Sequence, residues 1–219
     1  MTTVVSFDLD GTLVTSSFAD AVWLDGLPRL YAQASGKDLE TAKRELFAEY
    51  DRIGDQRLEW YDPAYWFDHY RIPGDWRSLL HQNRSHIACY PDAIAVLPRL
   101  AAQYQLIICS NAKREFVEIE LEDINIRGCF THIFSSTSDF HTVKKVTEFY
   151  ALICQRLNVT SSQIVHVGDS RRFDYDAPRA AGITAYYLDR SGKESGPFVV
   201  HTLYEFEHKL AHVKEEKQK

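Results

Sequence analysis

Two pairs of carboxylates stand at the ends of short apolar runs. Thr3-Val4-Val5-Ser6-Phe7 leads into Asp8-Leu9-Asp10-Gly11-Thr12-Leu13, and Ile164-Val165-His166-Val167 leads into Gly168-Asp169-Ser170, with Asp174 five residues beyond Asp169. β-branched and aromatic runs without polar alternation are the pattern of strands buried on both faces. In an open α/β sheet, ligands bind at the carboxyl ends of such strands. If these two strand ends are neighbours, Asp8, Asp10, Asp169 and Asp174 converge, and so many like charges cannot all ionise together without a cation. Hard carboxylate oxygens with room for water suit Mg²⁺. Gly11 permits a tight turn and Thr12 a local hydrogen bond. The plainer reading is of turn formers after the first run, and of a helix N-cap with a solvated helix-start acid after the second.

Two weaker signals accompany them. The run Leu106-Ile107-Ile108-Cys109 ends in Ser110-Asn111. A hydroxyl and an amide there can bind phosphoryl oxygens, or equally cap a helix after Ala112. Lys144 or Lys145 opens a stretch with Val146, Phe149, Tyr150, Ile153 and Leu157 at helical spacing, and Asn158 follows where the helix could stop. A lysine so placed can neutralise a phosphate as a point charge, or simply face solvent.

The elements that must position these residues follow from the same periodicities. Further apolar runs occur at Ile133-Phe134 and Thr184-Ala185-Tyr186-Tyr187-Leu188, with helical stretches between the runs. The alternation predicts an α/β fold, a Rossmann-like parallel sheet with helices on both faces. Residues 16–88 read differently. Phe18, Val22, Leu27, Leu30, Tyr31 and Ala34 suggest one helix closed by Ser35-Gly36; Leu39, Ala42, Leu46, Phe47, Tyr50 and Ile53 suggest a second; Asp62-Pro63 is an N-cap with a first-turn proline. The expected organisation is a core of residues 1–15 and 89–219 with an inserted all-helical unit at 16–88. Pro98 falls inside a helix drawn from Asp92 to Gln103, so that helix either kinks or starts late. A last amphipathic helix is expected from about residue 202 to 219 on Leu203, Phe206, Leu210 and Val213.

Composition narrows the function classes. The chain has 219 residues, 45% hydrophobic and 26% charged, and its 25 basic against 31 acidic residues give a net charge of -6. That balance offers no electrostatic footprint for nucleic acid or an anionic membrane. No apolar run reaches the roughly 20 residues of a membrane span, and the first residues do not read as a secretory leader. Cys89, Cys109, Cys129 and Cys154 are widely spaced, which predicts reduced thiols rather than a zinc or redox site. The expectation is a soluble cytoplasmic protein, monomer or homodimer.

Taken together, Asp8-Leu9-Asp10-Gly11-Thr12, Ser110-Asn111, Lys144 and Gly168-Asp169-Ser170 with Asp174 resemble the motifs of the haloacid dehalogenase-like (HAD) hydrolase superfamily, in its order and spacing. Pro178-Arg179-Ala180-Ala181-Gly182 is similar to the family's closing segment, and the helical insert, returning near Tyr90-Pro91-Asp92, to its C1-type cap. The resemblance implies Mg²⁺-dependent hydrolysis of a small phosphorylated metabolite. Asp8 would be the nucleophile and Asp10 the general acid and base. Mg²⁺ would be held by Asp8, the Asp10 carbonyl, Asp169 and Asp174, with Ser110, Asn111 and Lys144 on the phosphoryl oxygens.

Three departures from the family pattern stand out. The family's lysine is usually followed by proline, absent here, and Lys144 is chosen over Lys145 because it precedes the aromatic Tyr150 by six positions. Asp92 replaces a usual glycine and is expected to touch only the turn. Arg171 and Arg172 are expected in solvent. The rival functions are a phosphosugar mutase, a 2-haloacid dehalogenase (a class that generally lacks the second aspartate) and a non-catalytic binding protein. The insert's Trp60, Tyr61, Tyr65, Trp66, Phe67, Tyr70 and Trp76 could stack on a flat substrate, but the reading favours a helical unit needing large side chains for its own core. His69 and Arg57 are further candidates for the pocket.

Overall fold

The computed structural model describes residues 3–216. Six parallel strands, β1 (Val4–Phe7), β2 (Gln105–Ser110), β3 (His132–Ser135), β4 (Ile164–Gly168), β5 (Thr184–Leu188) and β6 (Val199–Val200), form one sheet in the order β3-β2-β1-β4-β5-β6. This is the expected Rossmann-like α/β core. The two-residue β6 was not anticipated, being too short to carry a pattern. Phe7 lies between Ile108 and Val167, so the chain leaves β1, β2 and β4 at one level of the same edge.

Alternation along the strands builds both layers. Val5, Phe7, Leu106, Ile108, Val165 and Val167 pack with helices Pro91–Ala101 and Leu203–Glu216, while Val4, Ile107, Cys109 and Ile164 pack with Phe149, Tyr150 and Ile153 of helix Thr147–Leu157. That last helix starts later than its apolar spacing suggested, leaving both Lys144 and Lys145 in the loop before it, and it ends where expected, with Asn158 left-handed at φ 54°. Helix Pro91–Ala101 runs on through Pro98. The proline withholds a donor from the carbonyl of Ile94, a residue on the solvent side at 54% exposure, where water can take its place. In the final helix Leu203, Phe206 and Leu210 are buried as expected. The side chain of Val213 and residues 217–219 lie outside the described residues.

Between residues 17 and 86 every regular element is helical among the described residues. The first expected helix is in fact Ser17–Asp20 and Leu27–Ser35 joined by a wider, π-wound stretch at Ala21–Gly26. Asp38 and Asp62 cap the next helices through Thr41 N–H and Ala64 N–H, 3.0 Å each. The insert has its own apolar cluster around Phe18, Leu46 and Trp66, and that cluster takes in Phe116 and Ile119 from helix Arg114–Asp123 beside the sheet. The chain crosses to and from the insert on two adjacent segments. Thr15 N–H bonds Ala88 O and Tyr90 N–H bonds Leu13 O, both at 2.9 Å, and Val14 pairs antiparallel with Cys89. Among the described residues no helix is long and apolar enough to cross a membrane.

Asp92 does far more than touch a turn, contrary to expectation. It is buried, pairs with both terminal nitrogens of Arg190 at 3.0 and 3.1 Å, and accepts Leu203 N–H at 2.8 Å, capping the last helix. Arg190 also donates to Thr12 O at 2.6 Å and lies 3.7 Å over the Tyr90 ring. One carboxylate thus joins the returning chain, the first acidic loop and the C-terminal helix. Removing one partner of such a buried pair leaves an uncompensated charge, typically costing about 3–5 kcal/mol. Asp92→Ala should lower the unfolding free energy in urea by that amount, and combining it with Arg190→Met should cost less than the sum of the two single changes. A loss under about 1 kcal/mol for Asp92→Ala would show the pair to be incidental.

Candidate active site

The end of β1 is held by Asp8 N–H on Val167 O at 3.0 Å, and the following loop folds back through Thr12, Leu13 and Val14 N–H on Leu9 O. Gly11 makes this possible. Its φ is +77°, and a Cβ there would overlap the Asp169 carboxylate. Gly168 is constrained in the same way, because a Cβ would run into Asp174. The two glycines let the β1 and β4 loops close until single oxygens of Asp8, Asp169 and Asp174 lie within 4.8 Å of one another. The expected convergence therefore occurs for these three. Asp10 lies alongside, outside the cluster, with Oδ1 buried and without a partner among the described residues.

The lysine at the site is Lys145, and Lys144 is elsewhere. The Lys145 ammonium is buried, donates to Asp8 Oδ1 and to Cys109 O at 3.0 Å, and forms an ion pair with Asp174 Oδ1 at 2.6 Å. Its own N–H is fixed by Asn111 Oδ1 at 2.8 Å. Lys144 instead pairs with Asp55 of the insert and lies near the rings of Tyr61 and Phe173. Counting back from Tyr150 selected the wrong neighbour. The missed signal is Val146, whose φ of -81° and ψ of 173° would suit a proline, so the lysine directly before it is the one at the family's Lys-Pro position.

The other expected residues are placed with equal definition. Ser110 is buried and accepts Ala112 N–H at 3.0 Å, a turn-forming role that leaves its hydroxyl proton without an acceptor among the described residues. Asn111, besides holding Lys145, accepts from Ser136 Oγ at 3.3 Å. Asp174 also receives Ser170 N–H at 3.0 Å and lies 3.1 Å from His166 Nε2. His166 continues to Ser6 Oγ at 2.8 Å, and Tyr150, 3.2 Å from His166 Nε2, donates to Phe173 O at 2.7 Å. This buried shell behind Asp174 was not read from the sequence, where Ser6 and His166 sit inside strand runs. Arg171 and Arg172 are exposed as expected, Arg57 pairs with Glu59, and His69 stacks on Tyr65.

Burial and mutual repulsion set the protonation of the cluster. Burial opposes ionisation of Asp174, but the Lys145 ammonium and the bond from His166 outweigh it and bring its pKa down to about 2. Burial, then the charge of Asp174, pushes Asp8 well up despite Lys145, and pushes Asp169 up to about 6. Asp10 also rises to about 6, through burial and then Asp169. Burial would discharge Lys145, but Asp174 and Asp8 hold its charge and raise it. Three carboxylates facing a single ammonium leave excess negative charge that a hard divalent cation would offset. The oxygen-only donor set and the unpartnered Asp10 oxygen beside it fit such an ion.

Three cavities adjoin the carboxylates' neighbourhood. One of about 790 Å³ follows the seam between the insert and helix Arg114–Asp123 and includes none of the four aspartates. A smaller one of about 330 Å³ is bounded by Asp10 and Asn111 on the sheet side and by Trp23, Tyr50, Trp60 and Tyr61 of the insert. A third, of about 440 Å³, reaches Asp10 and Asp169 between Gly11, Tyr90 and Arg190, so the chemistry is met from the core side by this cavity and from the insert side by the 330 Å³ one.

The sheet order and the acidic loops after β1 and β4 define a Rossmann-like α/β core with a carboxylate site at its strand ends. The model of the haloacid dehalogenase-like hydrolase family matches residues 2–182, and the chain belongs to that family. A HAD phosphatase from Thermococcus onnurineus has a similar structure (TM-score 0.81, 23% identity, covering 96% of this chain and 98% of that one). So do the 2-haloacid dehalogenase of Pseudomonas syringae pv. Tomato (0.64, 19%, 97% and 99%) and the L-2-haloacid dehalogenase of Xanthobacter autotrophicus (0.61, 21%, 96% and 99%). At these identities the likeness concerns the fold. No curated protein matches the chain significantly.

The raised carboxyls make the metal-free protein's stability pH-dependent. Asp10 and Glu120, the latter buried with both oxygens unpartnered, bind protons more tightly folded than unfolded. Such groups cost nothing below their unfolded pKa and destabilise as pH rises through the folded value. Buried His166, whose pKa is lowered, opposes part of this in the same window, so the metal-free protein should lose a net of about 1 kcal/mol between pH 5 and pH 7. Millimolar divalent cation should restore stability at pH 7, as ligand binding to the folded state does. Urea midpoints at both pH values, with and without cation, check this. An equal or higher metal-free midpoint at pH 7 contradicts the charge assignment.

Proposed function

We propose that the protein is a Mg²⁺-dependent phosphatase that hydrolyses a small-molecule phosphate monoester through an aspartyl phosphate on Asp8, with residues 16–88 acting as a C1-type cap over the site. Asp8 attacks phosphorus, forming the O–P bond as the ester P–O bond breaks, and Asp10 gives its proton to the departing oxygen. Water then attacks the acyl phosphate, Asp10 takes the water proton, and phosphate leaves with Asp8 restored. Lys145 fixes Asp8 Oδ1, so Oδ2, held lightly by Thr12 Oγ1 at 3.2 Å, is the attacking atom. Ser110 has a hydroxyl proton to give to a phosphoryl oxygen. Bound Mg²⁺, on Asp8, Asp169, the Asp10 carbonyl and Asp174 directly or through water, would offset the phosphoryl charge.

The observation that carries this reading is Asp10, an acid two positions from the nucleophile with a buried, unpartnered oxygen and a pKa that burial pushes up. A halide leaves as a stable anion and needs no proton. An alkoxide needs one, and an acid with pKa near the working pH is suited to supplying it. The dehalogenase alternative gives Asp10 no task.

Phosphate release from p-nitrophenyl phosphate should require Mg²⁺ and stop in EDTA, with no chloride released from 2-chloropropionate. Asp8→Asn should abolish turnover. Lys145→Met should cost about 10²- to 10³-fold, the usual scale for one electrostatic partner at a reacting centre, whereas Lys144→Met should cost less than about tenfold. Undiminished turnover in EDTA, or a larger loss for Lys144→Met than for Lys145→Met, rejects this reading.

A further inference from the structure

The aromatic residues of the insert divide into two groups. Trp66 and Trp76 are 0% and 7% exposed and belong to its core, whereas Trp23, Trp60 and Tyr61 are only half-buried and line the 330 Å³ cavity that ends at Asp10. Core filling accounts fully for the first group; Trp23 and Trp60 pack against the edge of that core and still turn part of their surface to the cavity. The walls are flat. Trp23 lies parallel to Phe116 (4°, centroids 5.7 Å) and nearly parallel to Trp60 (26°, 6.5 Å).

The polar groups of this slot are largely committed elsewhere. The hydroxyl of Tyr50 donates to Trp23 O and that of Tyr61 to Asp55 O, each at 3.1 Å, so both present ring surface rather than hydroxyl. Lys113, the one cation among the described lining residues, is paired with Asp62. The remaining charged groups, Asp10 and Asp20, are acidic. A second phosphate or carboxylate on the substrate would meet repulsion there, and a polyol would find acceptors only at Asp10 and Asp20 and lose its other hydrogen bonds to water against the aromatic walls. A flat, uncharged ring suffers neither penalty and gains offset stacking. The volume, at the small end of ligand cavities, suits one or two rings.

Building on the phosphatase reading, we propose that this slot holds the leaving group of the substrate, and that the leaving group is a small planar, uncharged aromatic alcohol. The test compares benzyl, cyclohexylmethyl and n-butyl phosphates, primary esters with leaving groups of similar acidity, alongside glucose 6-phosphate. Benzyl phosphate should exceed its puckered counterpart about 2- to 10-fold in kcat/KM, the scale of aromatic stacking beyond area burial, and glucose 6-phosphate should be poorest. Trp60→Leu should bring the benzyl-to-cyclohexylmethyl ratio close to one, and Trp60→Phe should retain it. Calorimetry with benzylphosphonate and cyclohexylmethylphosphonate reads the same preference without turnover. If no ester is hydrolysed but benzylphosphonate binds more tightly, the hydrolytic reading fails and the slot assignment stands. Equal or better use of cyclohexylmethyl or glucose 6-phosphate, or a ratio unmoved by Trp60→Leu, overturns the slot assignment.

Discussion

The site depends on one buried ammonium set among carboxylates that repel one another. Lys145 bridges Asp8 and Asp174 and anchors to Cys109 O. A buried lysine is expelled or discharged unless partners hold it, and buried carboxylates are protonated unless a cation faces them. Each side of the bridge is therefore the condition for the other. Asp169 stands outside it and, with Asp8, has its pKa raised, so the arrangement remains short of positive charge.

Much of the surrounding structure serves to bring these groups so close. Parallel pairing of β1 with β2 and β4 puts three strand ends at one level, and the glycines at 11 and 168 remove the side chains that would hold the loops apart. Asn111 pins the Lys145 backbone, while His166 and Tyr150 back Asp174 from within the sheet layer. The Asp92–Arg190 pair ties Thr12 O, and with it the first loop, to the C-terminal helix. Each of these supporting contacts restricts where the acids can go.

The strands and acidic loops were legible because their signal is local: a run of β-branched residues and a carboxylate immediately after it. The choice between Lys144 and Lys145 was not. It depends on which backbone N–H Asn111 captures, thirty-four residues away in sequence. Asp92 was misjudged for the same reason, since its partner Arg190 is ninety-eight residues distant. β6 has too few residues to show any period. The π-wound stretch at Ala21–Gly26 kept the apolar spacing of an ordinary helix close enough to read as one. The aromatic cluster of the insert was legible as a group, but its division between core and cavity wall is set by tertiary packing.

Asp8 and Asp10 differ by two positions and not at all in residue type, so their separate tasks must come from surroundings. Asp8 faces Lys145, which orients it and favours its anion. Asp10, beyond the turn that Gly11 permits, faces the slot, with Asp169 as its main charged neighbour and Asp20 also contributing. Its largest influence is burial, and part of what borders that slot is Trp23 and Phe116. In the function proposed above, an apolar wall that recognises a flat leaving group would also keep water from the acid assigned to protonate it. Substrate recognition and proton supply are then two consequences of one surface. Replacing that wall with polar side chains would draw the pKa of Asp10 back toward an ordinary carboxylate as well as loosen binding, because the same desolvation supports both.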